Sequence, residues 1–321
     1  MPHFSSSFPS PFYLPGGQLQ TIWPALCRKV APLRQPISAL LPTPDGDELS
    51  YDYYDVPNAR AMVILCHGLE GNNRRQYMLG MANALIEQSY AVFSWNYRSC
   101  GGRMNQQLRF YHSGATDDLA VVIAHLVSKS SLPIYLVGFS LGGNLVLRWL
   151  GEQATAVPEQ LKAAAAISVP MDLAAGSDFL ARPAAMWYTR HFLKRLKRKI
   201  QQKASMFPGH INTAPLQTLK SLRDFDEHYT APLHGFADAN DYYARASSLF
   251  VLEEIRRPVL LIQAANDPFL PPSCYPTPSN RLIHSCFSLQ GGHVGFMQSG
   301  SSISFPEQQV PEFFNQLCIT C

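Results

Sequence analysis

The sequence predicts an α/β fold: a mostly parallel central sheet flanked by helices, with a helical cap inserted into it. Three observations carry that reading. Short apolar runs of strand length alternate with longer stretches whose apolar residues recur at helical spacing. One run ends in a glycine-flanked serine and passes straight into a helical pattern. The alternation breaks once, over residues 172–247, and then resumes.

The first 35 or so residues are rich in Ser and Pro and are expected to be mostly irregular. A hairpin follows: Ile37 to Leu41, a Pro-Asp-Gly turn at Pro44 to Gly46, and an alternating Leu49, Tyr51, Tyr53 strand. Sheet strands are expected at Met62 to His67, Ala91 to Tyr97, Ile134 to Phe139, Ala163 to Val169, Val259 to Ala264 and Leu282 to Leu289. Tyr77 to Gln88 and Asp118 to Val127 carry the helical period of crossover helices. The stretch from Asp172 to Ser247 holds helical pieces and no convincing strand, so residues 1–321 read as a single domain with a cap insertion at 172–247. An insertion at the carboxyl end of a sheet strand sits where a lid over an active site belongs.

Composition excludes several classes. The 321 residues carry 26 Lys and Arg against 23 Asp and Glu, a net charge of +3, and only 15% are charged. That balance speaks against nucleic acid as a partner, and the 46% hydrophobic content fits a large core or an apolar pocket. Seven scattered cysteines (Cys27, Cys66, Cys100, Cys274, Cys286, Cys318 and Cys321) fit free thiols of a reducing compartment better than a disulfide framework. No signal peptide is recognisable, and no run of 18 apolar residues occurs, so a cytoplasmic location is expected. No cluster has metal-ligand spacing and no glycine loop cradles a phosphate, so neither metal nor cofactor is expected.

The chemistry centres on Gly138-Phe-Ser-Leu-Gly142, between the apolar run Ile134 to Val137 and the helical run Leu145 to Leu150. Strand, sharp turn and helix in that order raise a serine hydroxyl above a sheet as a nucleophile. Serine needs a base, and the base an orienting carboxylate; with such a turn the chain order is Ser, acid, His. Asp267, in Asn266-Asp-Pro268, and His293, in Gly291-Gly-His-Val-Gly295, each follow a strand on the same sheet edge as Ser140. Asp172 is the alternative acid. Backbone N–H groups of Leu141 and Leu69 are the expected oxyanion donors, and His67 is expected to brace the loop beneath the site.

Several segments together resemble the AB hydrolase 4 family, the YheT-like α/β-hydrolases. They are His67-Gly-Leu-Glu-Gly71, Asn96-Tyr-Arg-Ser-Cys-Gly-Gly102, Arg109-Phe-Tyr-His-Ser-Gly114, Gly138-Phe-Ser-Leu-Gly-Gly-Asn144, Phe225-Asp-Glu227, Asp241-Tyr-Tyr243 and Gly291-Gly-His-Val-Gly-Phe296. The resemblance runs from about Pro15 to Phe314. It implies an α/β-hydrolase fold, a Ser140, Asp267, His293 triad, and hydrolysis of a small-molecule carboxylic ester. Eukaryotic relatives resemble membrane-anchored phospholipases and acylglycerol lipases, and bacterial ones soluble esterases.

Arg190 to Lys203 holds seven Lys and Arg and no acid, with Phe192, Leu193, Leu196 and Ile200 at helical spacing. It reads as a solvated cap helix with its apolar stripe on the core. The competing reading is peripheral contact with an anionic membrane through 190–203. A membrane-surface lipid-binding protein using this face is therefore one functional alternative, and an acyltransferase on the same fold, in which an alcohol replaces water, is another. His112 to Asp117 fits an acyltransferase His-x4-Asp spacing by coincidence, and Cys318-Ile-Thr-Cys321 makes a poor prenylation or redox motif. No oligomeric state follows from the sequence.

Overall fold

The structure, a computed structural model, describes residues 4–6 and 8–319, with the backbone alone for 4–6, 318 and 319. A short strand β1 (Phe4–Ser6) and helix α1 (Gly16–Cys27) precede a hairpin of β2 (Ile37–Pro42) and β3 (Glu48–Tyr54). Strand and helix then alternate through β4 (Ala61–Cys66), α2 (Gln76–Glu87), β5 (Tyr90–Trp95) and α3 (Thr116–Lys129). They continue through β6 (Ile134–Phe139), α4 (Leu141–Gln153) and β7 (Leu161–Ile167). Helices α5 (Leu173–Leu180), α6 (Met186–Met206) and α7 (Leu222–Phe225) follow, then a π-helical turn over Asp226–Thr230, α8 (Ala231–Leu233) and α9 (Ala239–Ala246). Strands β8 (Val259–Ala264) and β9 (Ile283–Ser288) and helix α10 (Phe305–Ile319) complete the chain.

The strands form one sheet in the order β1-β9-β8-β7-β6-β4-β5-β3-β2. All neighbours are parallel except β2 with β3 and β3 with β5. Strands covered on both faces have no solvent side, so they read as continuous apolar runs. Every residue of β4, β5, β6 and β8 is buried. Successive side chains still take opposite faces: Met62, Ile64 and Cys66 enter one core cluster and Ala61, Val63 and Leu65 the other.

The N-terminal segment departs from expectation, because 16–27 is helical rather than irregular. Pro15 offers no side-chain cap, Pro24 lies inside the helix, and the first turn has no acid, so local signals give no helix there. Long-range bonds hold it instead. Gln20 donates to the Leu14 carbonyl and to Gln290 Oε1 at 2.9 Å each, and its Oε1 accepts the Gly291 N–H at 2.7 Å. Arg28 beyond the helix end pairs with Glu307 at 2.6 Å.

The stripe of α6 faces inward: Leu193, Leu196 and Ile200 are buried with Phe225 and Tyr229. Two of its lysines do the same. Lys199 Nζ lies 2.7 Å from Glu70 Oε1, and Lys203 is fully buried, donating to the Asn105 carbonyl and Oδ1 at 2.7 Å and to the Gln107 carbonyl at 2.6 Å. Burial pulls the Lys203 ammonium down to about 8. The apolar face is thus spent on the protein, which leaves exposed Arg190, Lys194 and Arg198 for any contact with an anionic surface. Among the described residues no helix is long and apolar enough to cross a membrane. Cys27, Cys66, Cys100, Cys274 and Cys286 are free thiols; Cys321 and the Cys318 side chain lie outside the described residues.

Candidate active site

Ser140 follows β6 directly and takes φ 53°, ψ −120°, a conformation that non-glycine residues rarely adopt. Its N–H bonds the Ile167 carbonyl at 2.8 Å. Helix α4 starts hard against the end of β4: a Cβ on Gly142 would lie 2.3 Å from the Cys66 carbonyl oxygen, so only glycine fits there. The turn lifts Ser140 into a cavity at the carboxyl end of the sheet, where His293 also opens.

His293 Nε2 lies 2.9 Å from Ser140 Oγ, and His293 Nδ1 lies 2.8 Å from Asp267 Oδ2. The residues following β6, β8 and β9 thus meet in one hydrogen-bonded row. The Asp267 side chain is fully buried, and its Oδ1 accepts the Phe269 N–H at 2.8 Å. The Phe269 ring stacks on the imidazole, with centroids 4.0 Å apart and planes at 15°. A carboxylate can only accept, so it draws the ring proton to Nδ1 and leaves the Nε2 lone pair facing the serine hydroxyl. Asp172 is used elsewhere: it caps α5, accepting the Ala175 N–H at 3.0 Å.

No local motif marks the residues that hold the His293 loop. His293 N–H donates to Thr21 Oγ1 at 2.8 Å, and Thr21 Oγ1 donates to the Gly17 carbonyl at 2.7 Å. On the other side Val294 N–H donates to Ser168 Oγ at 2.9 Å. Pro24 lacks the N–H that would have bonded the Gln20 carbonyl, and Gly295 packs onto that carbonyl so closely that a Cβ would lie 1.9 Å from it. Thr21→Val keeps the shape and removes the acceptor. It should lower kcat by about 10- to 100-fold with KM unchanged, because a misaimed imidazole costs rate more than binding. Thr21→Ser should restore activity, and equal steady-state constants for Thr21→Val and wild type would refute the clamp.

The loop after β4 carries three consecutive amides near Ser140. Gly68 N–H donates to Tyr77 Oη at 3.0 Å and Glu70 N–H to Tyr111 Oη at 2.9 Å. Leu69 lies between them and lines the same cavity as Ser140 and Leu141; among the described residues its N–H has no hydrogen-bond partner. The Leu141 N–H, first of its helix, has none within the helix. Glu70 holds this loop by accepting from Tyr111 Oη at 2.8 Å and from Lys199. His67 is fully buried beneath it, with Nδ1 2.8 Å from the Gly68 carbonyl and Nε2 accepting from Tyr97 N–H at 3.3 Å. Burial drives its pKa down to about 3, so the ring is a neutral brace.

The cavity measures about 130 Å³. Much of its wall comes from the helices between β7 and β8, including Leu173, Leu180, Phe192, Leu196, Leu222 and Phe225. A smaller space of about 30 Å³ lies behind it and shares Tyr111, Leu196, Phe225 and Thr230 as walls. His112 also faces the main cavity, but its Nδ1 accepts the Gly114 N–H and Asp117 pairs with Arg109 at 2.6 Å, so the two are engaged separately.

Residues 61–299 match the model of a family described as alpha/beta hydrolase fold. The chain is 32% identical to "Putative esterase YheT" of Escherichia coli (strain K12) over 92% of its own length and 89% of that protein's. It is 31% identical to "Phospholipase ABHD3" of Bos taurus, over 83% of this chain and 68% of that one. Among solved structures, the Pyrococcus furiosus esterase Pf2001 superposes with a TM-score of 0.58 at 17% identity, covering 90% of this chain and 98% of that one. The last likeness is one of fold.

Proposed function

This chain belongs to the α/β-hydrolase fold family, in its YheT-like AB hydrolase 4 group, and from that premise we propose that it hydrolyses carboxylic esters through an acyl-enzyme on Ser140. The observation that carries the proposal is the row from Ser140 Oγ through His293 to Asp267, at 2.9 and 2.8 Å. His293 Nε2 takes the hydroxyl proton as Oγ attacks the ester carbonyl. Asp267 keeps the other ring proton on Nδ1 and stabilises the imidazolium. The amides of Leu141 and Leu69 receive the negative charge that develops on the carbonyl oxygen. His293 then protonates the leaving alcohol, activates water against the acyl-enzyme, and releases the acid. The inserted helices form a cap that keeps the acyl group out of bulk water.

The walls of the cavity support an apolar chain, and its volume limits the length. A void of roughly 150 Å³ holds benzene, so about 130 Å³ accommodates a chain of around six heavy atoms. We expect turnover of p-nitrophenyl esters to peak between about four and eight acyl carbons, with a fluorophosphonate probe forming one adduct, at Ser140. No adduct, or no turnover across the series, overturns the proposal. Leu196→Ala should open the wall to the smaller space and move the optimum up by about two carbons, at a stability loss of about 2–5 kcal/mol. An unchanged optimum in a folded variant would place the acyl chain elsewhere.

A further inference from the structure

Asp226 is a carboxylate in the wall of an otherwise mostly apolar cavity. It opens the π-helical turn at residues 226–230, an irregularity that often marks functional positions. Ser140 and His293 belong to the wall built by the sheet, whereas Asp226 belongs to the wall built by the inserted helices. Thr230 Oγ1 donates to Asp226 Oδ1 at 2.6 Å and Tyr243 Oη to Oδ2 at 2.7 Å. Each oxygen therefore retains a free lone pair. Ser177 Oγ, 3.1 Å from Tyr243 Oη, extends the polar cluster along the same wall.

Among the described residues no side-chain cation makes an ion pair with this carboxylate, and the nearby Arg223 charge favours its ionised form only from a distance. Arg223, on the preceding turn, directs Nε to Asp178 at 3.1 Å and Nη1 to Asn240 at 2.7 Å, and its guanidinium lies over the Tyr243 ring. Among the described residues no Lys, Arg or His is within ion-pair distance of Asp226. Burial outweighs the Thr230 and Tyr243 hydrogen bonds and the nearby Arg223 charge and pushes its carboxyl up to about 6. A fold that needed only packing here would place an apolar side chain. One that needed only to tie the π-turn to α9 would manage with a neutral amide.

We propose that Asp226 is a specificity residue that receives a hydrogen-bond donor carried by the substrate away from its ester group, an ammonium in preference to a hydroxyl. The inference rests on Ser140 chemistry as set out above. An apolar chain spans the Leu- and Phe-lined middle of the cavity, and its polar end completes the shell of the Asp226 carboxylate. An ammonium also brings a positive charge into direct contact with the carboxylate, which a hydroxyl does not.

The test uses the full chain with ethyl hexanoate, ethyl 6-hydroxyhexanoate and ethyl 6-aminohexanoate, and with the matching series on the alcohol side (hexyl, 6-hydroxyhexyl and 6-aminohexyl acetate). In at least one series, kcat/KM should rise about tenfold or more from plain chain to ammonium, with the hydroxyl between. Asp226→Asn should abolish the ammonium advantage, bringing kcat/KM for the ammonium and plain esters to within about threefold of each other. Tyr243→Phe removes a competing donor and should enlarge that advantage, whereas a purely structural role would slow all substrates alike. Wild type favouring the plain chain in both series, or substrate ratios unmoved by Asp226→Asn and Tyr243→Phe, overturns the inference. Fluorophosphonate labelling keeps the two proposals apart. A protein that labels and hydrolyses esters but shows no such ratios loses only the role of Asp226; one that does not label loses the serine chemistry as well.

Discussion

Ser140→Ala should lose about 10⁶-fold in kcat and all labelling by a fluorophosphonate, while its melting temperature stays within a few degrees of wild type. The loss is large because a nucleophile and its base act as a unit: without Oγ the imidazole has nothing to deprotonate. The residual rate, about 10³–10⁴ above water, should come from the Leu141 and Leu69 amides and from binding. Stability should hold because the side-chain hydroxyl bonds His293 rather than the core, and alanine carries the same Cβ through the φ of 53°. Turnover within tenfold of wild type, or a persistent adduct, would remove Ser140 as nucleophile.

Asp267→Asn should lower kcat by about 10⁴-fold, and the hydrogen bonds around Asp267 say why. Oδ1 accepts the Phe269 N–H at 2.8 Å and Oδ2 faces His293 Nδ1 at 2.8 Å. An asparagine keeping the first bond turns its amide NH₂ toward Nδ1. That nitrogen must then accept, the ring proton moves to Nε2, and the ring can no longer take the serine proton. Asp172→Asn is the control: asparagine caps a helix as well as aspartate, so its activity should remain within about twofold of wild type. The reverse ranking in ester turnover would make Asp172 the acid and leave Asp267 a turn residue.

What the sequence made legible is what short-range rules govern. Strands β6 and β8 begin and end where their apolar runs do, because a doubly covered strand has no polar face to blur its limits. The glycines around Ser140 were legible for the same reason, since the turn imposes its needs on adjacent residues. Helix α1 was not, because its stability comes from Gln20, Thr21 and Arg28 bonding to segments over 250 residues away. Lys203 also resisted a sequence reading. A lysine in a basic run reads as solvated, and only the fold reveals that the loop at Asn105 and Gln107 brings three oxygens to its ammonium. Asp226 could be noticed within Phe225-Asp-Glu227, but its place in a cavity wall depends on how α5, α7 and α9 come together.

The clamp of Thr21 on His293 bears on how the protein becomes competent. The two residues are 272 positions apart, and joining them closes a loop that costs about 5 kcal/mol in chain entropy. The ribosome delivers Ser140 long before His293, the base of the proposed mechanism. On the proposed mechanism, full reactivity depends on a contact between residues 272 positions apart and not on the packing of the core strands alone.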